Sequence, residues 1–427
     1  MDLTPSARGQ DLLERMRAFV TDDVIPAEER HAAELGELRA AGDPHAEPAV
    51  LRELKERARS LGLWNLFLAQ DVPPHLGEGG GVGVLDYAYP AEETGRSPLL
   101  APEATNGAAP DTGNMELLLD HGSADQQATW LAPLLDGTLR SAFLMTEPDV
   151  ASSDPHNIRT TIRREGDELV IDGRKWWSSG AASPRCGITI VMAVSDPDAP
   201  RGQRHSMVLV PPSTPGFRVV REMPVFGHHD QAGGHPEIHL EGVRVPAANL
   251  LGREGEGFRM AQARLGPGRI HHCMRLIGMA ERALELTCVR ALGREAFGGP
   301  LADQGVVRQR IAQARVRIDQ ARLLTLRAAA RIDAEGARAA RDDIAAIKVV
   351  APSMALWVID QAIQVHGGAG VSDDTPLAMM WAHARTLRIA DGPDEVHEMV
   401  LARRELDRHR ASVLGADGGP PPSASDG

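Results

Sequence analysis

The sequence predicts an α+β fold in three parts, with helices at both ends and a β-rich stretch between them. Apolar residues recur with helical spacing from about residue 10 to 137, and proline and glycine interrupt this pattern at 40–48 and 71–83. From about 141 to 245 the pattern changes to compact apolar runs of strand length. Long helical patterns return beyond residue 257, which completes the order helix, sheet, helix.

Two local patterns define elements within this outline. Asp172-Gly173 is the dipeptide that most favours a tight turn, which predicts a hairpin between strands at 168–171 and 174–177. In the C-terminal part, apolar residues spaced by three and four predict one buried helix face. That face carries Ile311, Ala314, Ile318 and Ala321.

Domain boundaries are expected where the pattern changes. The predicted parts are an N-terminal helical domain at 1–139, a middle β domain at 140–250, a C-terminal helical bundle at 251–412 and a tail at 413–427. The tail consists largely of proline, glycine and small polar residues. It cannot bury enough apolar area to order itself, so we expect it to be disordered.

Composition argues against several classes of function. The 427 residues are 42% hydrophobic, which suffices for a folded globular protein. The formal net charge is −13 and no basic cluster could follow a phosphate backbone, so nucleic acid is not an expected partner. Three distant cysteines form no disulfide framework, and the longest apolar run, 354–359, is far shorter than the ~20 residues of a membrane span. With no leader-like pattern at the N-terminus, we expect a cytoplasmic protein.

Lysine and histidine have unusual distributions. Lysine occurs only at positions 55, 175 and 348, among many arginines, which we attribute to genome composition. Several histidines could suggest a metal, but no cysteine or carboxylate completes a tetrahedral ligand set, so no metal is expected. These are His228, His229, His235, His271 and His272, of which the first two could instead contact an anionic group of a substrate.

A pair of short motifs carries the strongest functional signal. Thr146-Glu147-Pro148 is followed about thirty residues later by the run 175–180, which contains Trp176 and Trp177. An electron-accepting ring needs an aromatic wall for stacking and hydroxyl donors near the atoms that gain charge on reduction. The two motifs together therefore indicate a flavin pocket. Both indoles could alternatively be core aromatics of the β domain, and we favour that interpretation for Trp176 only.

Five separated motifs, at 110–115, 143–148, 294–298, 364–370 and 387–395, strengthen this interpretation. In this order they resemble the acyl-CoA dehydrogenase family, over about residues 10 to 410. The individual residues within and beside these motifs resemble those of a subgroup whose eukaryotic members are often fused to a phosphotransferase-like kinase domain. The resemblance implies FAD as cofactor, an N-terminal helical domain, a middle β-barrel-like domain and a C-terminal four-helix bundle.

The resemblance also implies roles toward FAD. Thr146 would hydrogen-bond the pyrimidine edge of the flavin, Trp177 would pack against the ring and Ser179 would donate to N5, with Met145 and Ser178 beside them. Further residues would reach the diphosphate and adenine from a neighbouring subunit, which implies a homodimer or homotetramer. These are Arg294, Phe297, Gln304, Gln364, Gly367 and Gly368, and a solvated helix face is the alternative for Arg294.

The family places its catalytic base as a glutamate at the start of a late helix, just before glycine, and Asp391 holds that place here. Aspartate shortens the reach of the carboxylate by roughly 1.5 Å, so the backbone or the substrate must lie closer. Other members carry the base before an arginine of an earlier helix, but Gly268 precedes Arg269 at that position. The alternative for Asp391 is a helix N-cap followed by Gly392-Pro393.

Residues around Asp391 depart from the family pattern. Ala390 replaces a bulky aromatic residue, which leaves a wider pocket. Pro393 and Glu395 replace the usual hydroxyl and amide, so contacts to the flavin must come from the backbone or from Asp394 and Glu395. Three residues match positions along the path of the thioester, with ordinary turn or helix chemistry as the alternative. These are Ser152, Arg269 and Gly392.

The implied reaction is the flavin-dependent α,β-dehydrogenation of an acyl-CoA to the 2,3-enoyl-CoA, with an electron-transferring flavoprotein as acceptor. One alternative is a flavin oxidase resembling nitroalkane oxidase, in which an aspartate base also occurs. Another is the subgroup activity on 4-hydroxyacyl or 4-phosphoacyl thioesters. A non-catalytic DNA-binding flavoprotein is disfavoured by the net charge of −13. A Rossmann site at 368–370 is rejected, because Asp373 stands where a third glycine belongs.

Overall fold

The computed structural model describes residues 2–228 and 233–414, with helices at both ends of this range. The N-terminal helices are α1 (Ala7–Ala18), α2 (Ile25–Ala40), α3 (Ala49–Ser60), α4 (Val84–Gly95), α5 (Ala101–Ala104), α6 (Asp111–His121), α7 (Ala124–Gln126) and α8 (Ala132–Asp136). The C-terminal helices are α9 (Gly257–Gly293), α10 (Gly305–Glu335), α11 (Arg341–His366), α12 (Leu377–Thr386) and α13 (Asp394–Leu414). No helix within the described residues is long and apolar enough to cross a membrane.

Helix α13 continues through Leu414, two residues into the tail that was predicted to be disordered. The disorder of the tail at 413–427 stays a prediction. The rest of the predicted tail, residues 415–427, lies outside the described residues. His229 of the histidine group also lies outside them.

In chain order, β1 to β8 follow α8 and precede α9. One sheet contains the strands β1 (Arg140–Leu144), β2 (Thr161–Glu165), β3 (Glu168–Lys175), β4 (Cys186–Val194), β5 (His205–Val210), β6 (Phe217–Glu222), β7 (Pro236–Pro246) and β8 (Leu250–Leu251). Their order in the sheet is β6-β7-β3-β2-β4-β5-β8, and β1 pairs in parallel with β4. A two-stranded hairpin of β9 (Glu295–Ala296) and β10 (Gly299–Pro300) separates α9 from α10. The order helix, sheet, helix confirms the predicted α+β fold.

The hairpin predicted at Asp172-Gly173 is wrong. β3 runs through this dipeptide, and the turn between β2 and β3 lies instead at Gly166, which has a φ of +63°. The pairing of β3 with β7 shifts register at the dipeptide, as in a β-bulge. The Asp172 carboxylate accepts the N–H of Gly242 at 2.6 Å, and a Cβ on Gly173 would lie 2.3 Å from Thr160 Oγ1. Contacts with neighbouring strands, and not a turn, therefore explain both residues.

The chain forms two compact units. The first is built from residues 2–26, 82–102 and 266–414, and the second from 27–81 and 103–265. The second unit has its core on the sheet, where apolar side chains of successive strands are buried together. This core includes Ala142, Leu144, Ile171, Val191, Val208, Ile238 and Leu240.

Helix packing forms the core of the first unit. Helix α11 packs against α10, α12 and α13. At Gly278 on α9, a Cβ would lie 1.9 Å from the carbonyl oxygen of Glu92 on α4, so only glycine allows this approach. The buried face predicted for α10 is confirmed, since three of its four residues are buried and one is half-buried. These are Ala314, Ile318 and Ala321, with Ile311 half-buried.

Candidate active site

A buried lysine of the second unit joins the motif after β1 to the end of β3. The Lys175 side chain is fully buried, and its ammonium donates to Met145 O at 2.9 Å, Met192 O at 2.8 Å and Glu147 Oε1 at 2.8 Å. Glu147 also accepts two backbone N–H groups, at 2.8 and 2.9 Å. Because all three acceptors of Lys175 belong to β4 or to the segment after β1, the lysine fixes that segment on the sheet.

Both members of this pair are ionised at neutral pH. Burial lowers the pKa of Lys175 to about 8, although the charge of Glu147 opposes the shift. Burial alone would raise the pKa of Glu147, but the charge and hydrogen bond of Lys175, together with the backbone donors, lower it. The carbonyl of Thr146, between the two acceptors, receives the N–H of Trp176 at 3.0 Å. The predicted flavin residues on the two segments are thus held at a fixed spacing.

The predicted ring-binding residues lie directly after β3. The Trp177 side chain is 41% exposed with a φ of +53°, a backbone conformation that is unusual for a bulky residue. Trp176 is half-buried, with its ring centroid 6.2 Å from that of Trp177. Within the described residues, Trp176 Nε1 and Ser178 Oγ are buried with no hydrogen-bond partner. Ser179 Oγ lies 2.8 Å from His235 Nδ1.

Ser152, predicted to lie on the thioester path, is used within its own turn. Its hydroxyl accepts the N–H of Glu147 at 2.9 Å and lies 3.3 Å from the carbonyl oxygen of the same residue. The side chain is half-buried. Ser152 therefore stabilises the turn after the first flavin motif, and its contact with a substrate stays a prediction.

Asp391 lies in a strained and tightly held turn of the first unit, between α12 and α13. Its φ is +57°, in the left-handed region that non-glycine residues enter only when their surroundings fix them there. The Asp391 carbonyl oxygen accepts Arg269 Nε at 3.2 Å and Nη2 at 2.9 Å, and His397 Nε2 at 3.3 Å. Lys348 Nζ donates to the carbonyl oxygens of Leu387 at 2.7 Å and Ala390 at 2.8 Å. The N-cap alternative is wrong, because α13 begins three residues later, at Asp394.

The carboxylate of Asp391 faces His272 on α9. Asp391 Oδ2 lies 3.5 Å from His272 Nε2, and the two side chains are 24% and 21% exposed. Burial lowers the pKa of His272 to about 4, and the attraction of the Asp391 carboxylate does not compensate for it. The imidazole is therefore neutral at physiological pH. The carboxylate of Asp391 is thus partly exposed beside a neutral ring, and its role as a base stays a prediction.

The residues after Asp391 serve the turn as well as the predicted flavin contact. Gly392 has a φ of +99°, and a Cβ there would lie 3.0 Å from a histidine ring nitrogen of α13. Pro393 is half-buried and precedes the helix. Asp394 is buried, and its Oδ2 pairs with Arg388 Nε at 2.6 Å. Glu395 is exposed on the first turn of α13. One oxygen of Asp394 is thus already engaged by an arginine.

The residues predicted to reach the cofactor of a neighbouring subunit lie in two regions of the first unit. Phe297 lies at the tip of the β9–β10 hairpin, 99% exposed and with a φ of +57°. Arg294 is exposed just before this hairpin, and Gln304 is the N-cap residue of α10. The others lie at the C-terminal end of α11, where Gln364 is exposed on the last turn of the helix and Gly367 and Gly368 are exposed in the turn that follows it.

Two family models match this chain. The model described as "Acyl-CoA dehydrogenase, middle domain" matches residues 142–243, and "Acyl-CoA dehydrogenase, C-terminal domain" matches residues 255–406. Together they cover more than half of the chain. The chain belongs to the acyl-CoA dehydrogenase family.

Individual relatives agree with this assignment. The probable acyl-CoA dehydrogenase FadE2 of Mycobacterium tuberculosis is 56% identical over 418 residues, which cover 97% of this chain and 100% of the relative. Human acyl-CoA dehydrogenase family member 11 is 49% identical over 411 residues, which cover 96% of this chain and 51% of the relative. This chain therefore spans about half the length of that relative.

Solved structures show the same fold. A protein of Mycobacterium abscessus, named as a candidate acyl-CoA dehydrogenase, has a TM-score of 0.91 and 51% identity, over 95% of this chain and 100% of that one. Butyryl-CoA dehydrogenase of Megasphaera elsdenii has a TM-score of 0.78 and 26% identity, over 95% of this chain and 100% of that one.

This acyl-CoA dehydrogenase is an FAD-dependent oxidoreductase, as the family assignment establishes. The residues present fit a flavin. Trp177 offers an exposed indole face, and the hydroxyl of Ser178 and the indole N–H of Trp176 are buried with no partner among the described residues. Within the second unit, the hydrogen bond from the Trp176 N–H to the Thr146 carbonyl joins the segments that carry Thr146, Trp177 and Ser179. Within the first unit, Asp391 is brought together with Arg269.

The side chains that hold these turns were not predicted from the sequence. Lys175 and Lys348 are both buried, each donating to backbone carbonyl groups beside a predicted site residue. His235 and His397 contact Ser179 and Asp391. The scarcity of lysine was an available signal, because a chain that uses arginine almost everywhere retains lysine where arginine does not fit.

Proposed function

We propose that this enzyme oxidises the Cα–Cβ bond of an acyl-CoA thioester to the 2,3-enoyl-CoA, with Asp391 as the α-proton acceptor. Thr146, Trp177 and Ser179 would hold FAD, which when bound would supply N5 of the flavin as the acceptor of the β-hydride. The substrate loses one proton to the carboxylate and one hydride, so a carbon–carbon double bond forms and two electrons leave.

The observation that carries the proposal is the strained turn of Asp391. A φ of +57° in a non-glycine residue costs energy, of order 1–3 kcal/mol, and such strain concentrates at sites where geometry matters for chemistry. Arg269 and His397 hold the carbonyl of this residue from two different helices. Proton transfer from carbon requires donor and acceptor to be aligned closely. A base that is one methylene shorter than glutamate needs such a fixed backbone.

Lys348 contributes to the same step through the peptide bond before Asp391. Its ammonium donates to the carbonyl oxygen of Ala390 at 2.8 Å, and that carbonyl and the Asp391 N–H belong to one planar peptide group. Fixing the oxygen therefore fixes the direction of the N–H. In the family mechanism, this N–H and a ribityl hydroxyl of the cofactor polarise the thioester carbonyl, as an oxyanion hole does. A buried cation on the far side of the peptide strengthens such a donor.

The hairpin of Phe297 supports a proposal of dimeric or tetrameric assembly. An almost fully exposed phenylalanine in a left-handed conformation is explained if the cofactor of a neighbouring subunit covers it. Arg294, exposed beside it, would donate to the diphosphate, whose oxygens match the donor fork of arginine. We further propose an electron-transferring flavoprotein as the physiological acceptor of the two electrons.

The test is an anaerobic titration of the purified yellow protein. Straight-chain, branched and 4-hydroxy acyl-CoAs are added in turn, together with a nitroalkane, and flavin absorbance near 450 nm is followed. The expected result is bleaching by at least one class of acyl-CoA, with a product that is two mass units lighter. Loss of the 4-oxygen substituent would assign the subgroup activity. Bleaching by the nitroalkane alone, or by no acyl-CoA, would overturn the proposal.

A further inference from the structure

The contact between Ser179 and His235 carries a consequence for the flavin site. Ser179 lies in the segment after β3, and His235 immediately precedes β7. Three backbone hydrogen bonds join the two segments, from the N–H groups of residues 178, 180 and 182 to the carbonyl groups of residues 236, 234 and 233, at 3.3, 3.0 and 3.0 Å. A Cβ on Gly233 would lie 2.6 Å from Gly180 O, so glycine is required for this close pairing. The two side chains are therefore adjacent because the backbone is fixed.

The geometry brings His235 against two of the three residues proposed to hold the flavin ring. His235 Nδ1 lies 2.8 Å from Ser179 Oγ, within normal hydrogen-bond distance. The His235 ring centroid lies 5.7 Å from that of Trp177, with the planes tilted by 48°. Side-chain contacts of a half-buried imidazole with both groups restrict their rotamers.

The hydrogen-bond direction follows from counting protons. A serine hydroxyl carries one proton and can donate it to only one acceptor. If Ser179 donated to His235, it would have no proton left for N5 of the oxidised flavin. If His235 donates its Nδ1 proton to Ser179 Oγ, the serine proton is available for the flavin.

We propose that His235 is a positioning residue that donates Nδ1–H to Ser179 Oγ and thereby directs the serine hydroxyl toward flavin N5. The inference rests on the proposed function, since it requires the flavin to lie against Ser179. The proposal requires the His235 tautomer that carries its proton on Nδ1, and the same ring lies against the indole of Trp177. The role is distinct from direct contact with the flavin, because it acts through the hydroxyl.

Two substitutions separate the hydrogen bond from the ring contact. His235→Asn places an amide donor close to the position of Nδ1 but removes the ring. His235→Phe keeps a ring beside Trp177 but removes the donor. His239→Phe, further along β7, is the matched control, because its ring pairs with Glu237 and not with a flavin residue.

The measurements are the FAD dissociation constant of the apoprotein, the flavin midpoint potential and the rate of anaerobic flavin reduction. We expect His235→Phe to slow reduction about fivefold to tenfold and to lower the midpoint potential, as the loss of one hydrogen bond implies. Ser179→Ala should have an effect of similar size, and the double variant should add nothing further. His235→Asn should retain values within about twofold of the original enzyme, because one donor is preserved.

Specific outcomes would overturn the inference. If His235→Phe kept the midpoint potential and the FAD affinity of the original enzyme, the Ser179 hydroxyl would need no partner. If His235→Phe slowed flavin reduction and lowered the midpoint potential by as much in the Ser179→Ala background as in the original enzyme, His235 would act through another group. If Ser179→Ala itself changed neither potential nor FAD affinity, the assignment of Ser179 to N5 would fail first, and the role of His235 with it. Thermal unfolding of each apoprotein identifies a variant that is merely unfolded.

Discussion

Removing the buried ammonium of Lys175 should destabilise the second unit and release FAD. In Lys175→Met, two carbonyl groups lose their donor and Glu147, whose side chain is 5% exposed, loses its counter-ion. Breaking a buried ion pair on one side costs about 3–5 kcal/mol. We expect the lower end, about 3 kcal/mol, because two backbone N–H groups still compensate the Glu147 charge.

Urea unfolding followed by tryptophan fluorescence measures this loss, and the absorbance ratio at 450 and 280 nm measures FAD content. The double variant Glu147→Gln/Lys175→Met should recover part of the stability, since it leaves no buried charge unpaired. Arg163→Met is the control, because its ion pair with Glu165 is exposed and should contribute little to stability. A Lys175→Met protein with full FAD content and unfolding free energy within about 1 kcal/mol of the original would refute the reasoning.

Three further predictions concern the first unit. Arg269→Gln should lower kcat about tenfold with little change in KM, because the guanidinium holds the Asp391 carbonyl; a raised KM with unchanged kcat would instead indicate contact with the thioester. Burial lowers the pKa values of His272 and His397 to about 4, so the unfolded state binds more protons between about pH 6.5 and 4. The free energy of unfolding should therefore fall as the pH drops through this window, by at most about 3 kcal/mol per histidine. Urea unfolding midpoints that stay constant from pH 7 to 4.5 would contradict this prediction. Gly278→Ala should lower the melting temperature by several degrees, since its Cβ would lie 1.9 Å from a carbonyl oxygen, and an unchanged melting temperature would show that α4 can shift at no cost.

The outline of the fold could be predicted from sequence because hydrophobic periodicity is a local signal. The loops at 40–48 and 71–83, the β-rich stretch and the buried face of α10 all appear where the pattern places them. The turn predicted at Asp172-Gly173 also rested on a local signal, but tertiary contacts place these two residues within a strand. The Asp172 carboxylate accepts a backbone N–H of β7, and the lack of a side chain at Gly173 leaves room for Thr160. A competing signal, Gly166 followed by aspartate, marks the real turn.

The candidate site could be predicted only as far as its motifs reach. Asp391 and Trp177 were identified from the resemblance, but their positive φ values were not readable from sequence. The groups that hold Asp391 come from distant positions: Arg269 lies 122 residues before it, and Lys348 contacts carbonyl groups 39 and 42 residues beyond itself. No local pattern connects such residues. Attributing the three lysines to genome composition missed that two of them hold the turns beside the predicted site.

The most direct test of the central claim is the rate of flavin reduction in Asp391→Asn. Asparagine tolerates the left-handed backbone of this position and keeps the carbonyl that Arg269 binds, so the turn should be preserved while the base is lost. In anaerobic stopped-flow with a saturating acyl-CoA, reduction should slow by about 10²–10⁴-fold, with FAD content and melting temperature unchanged. Reduction of the Asp391→Asn enzyme at the original rate would contradict the assignment of Asp391 as the α-proton acceptor.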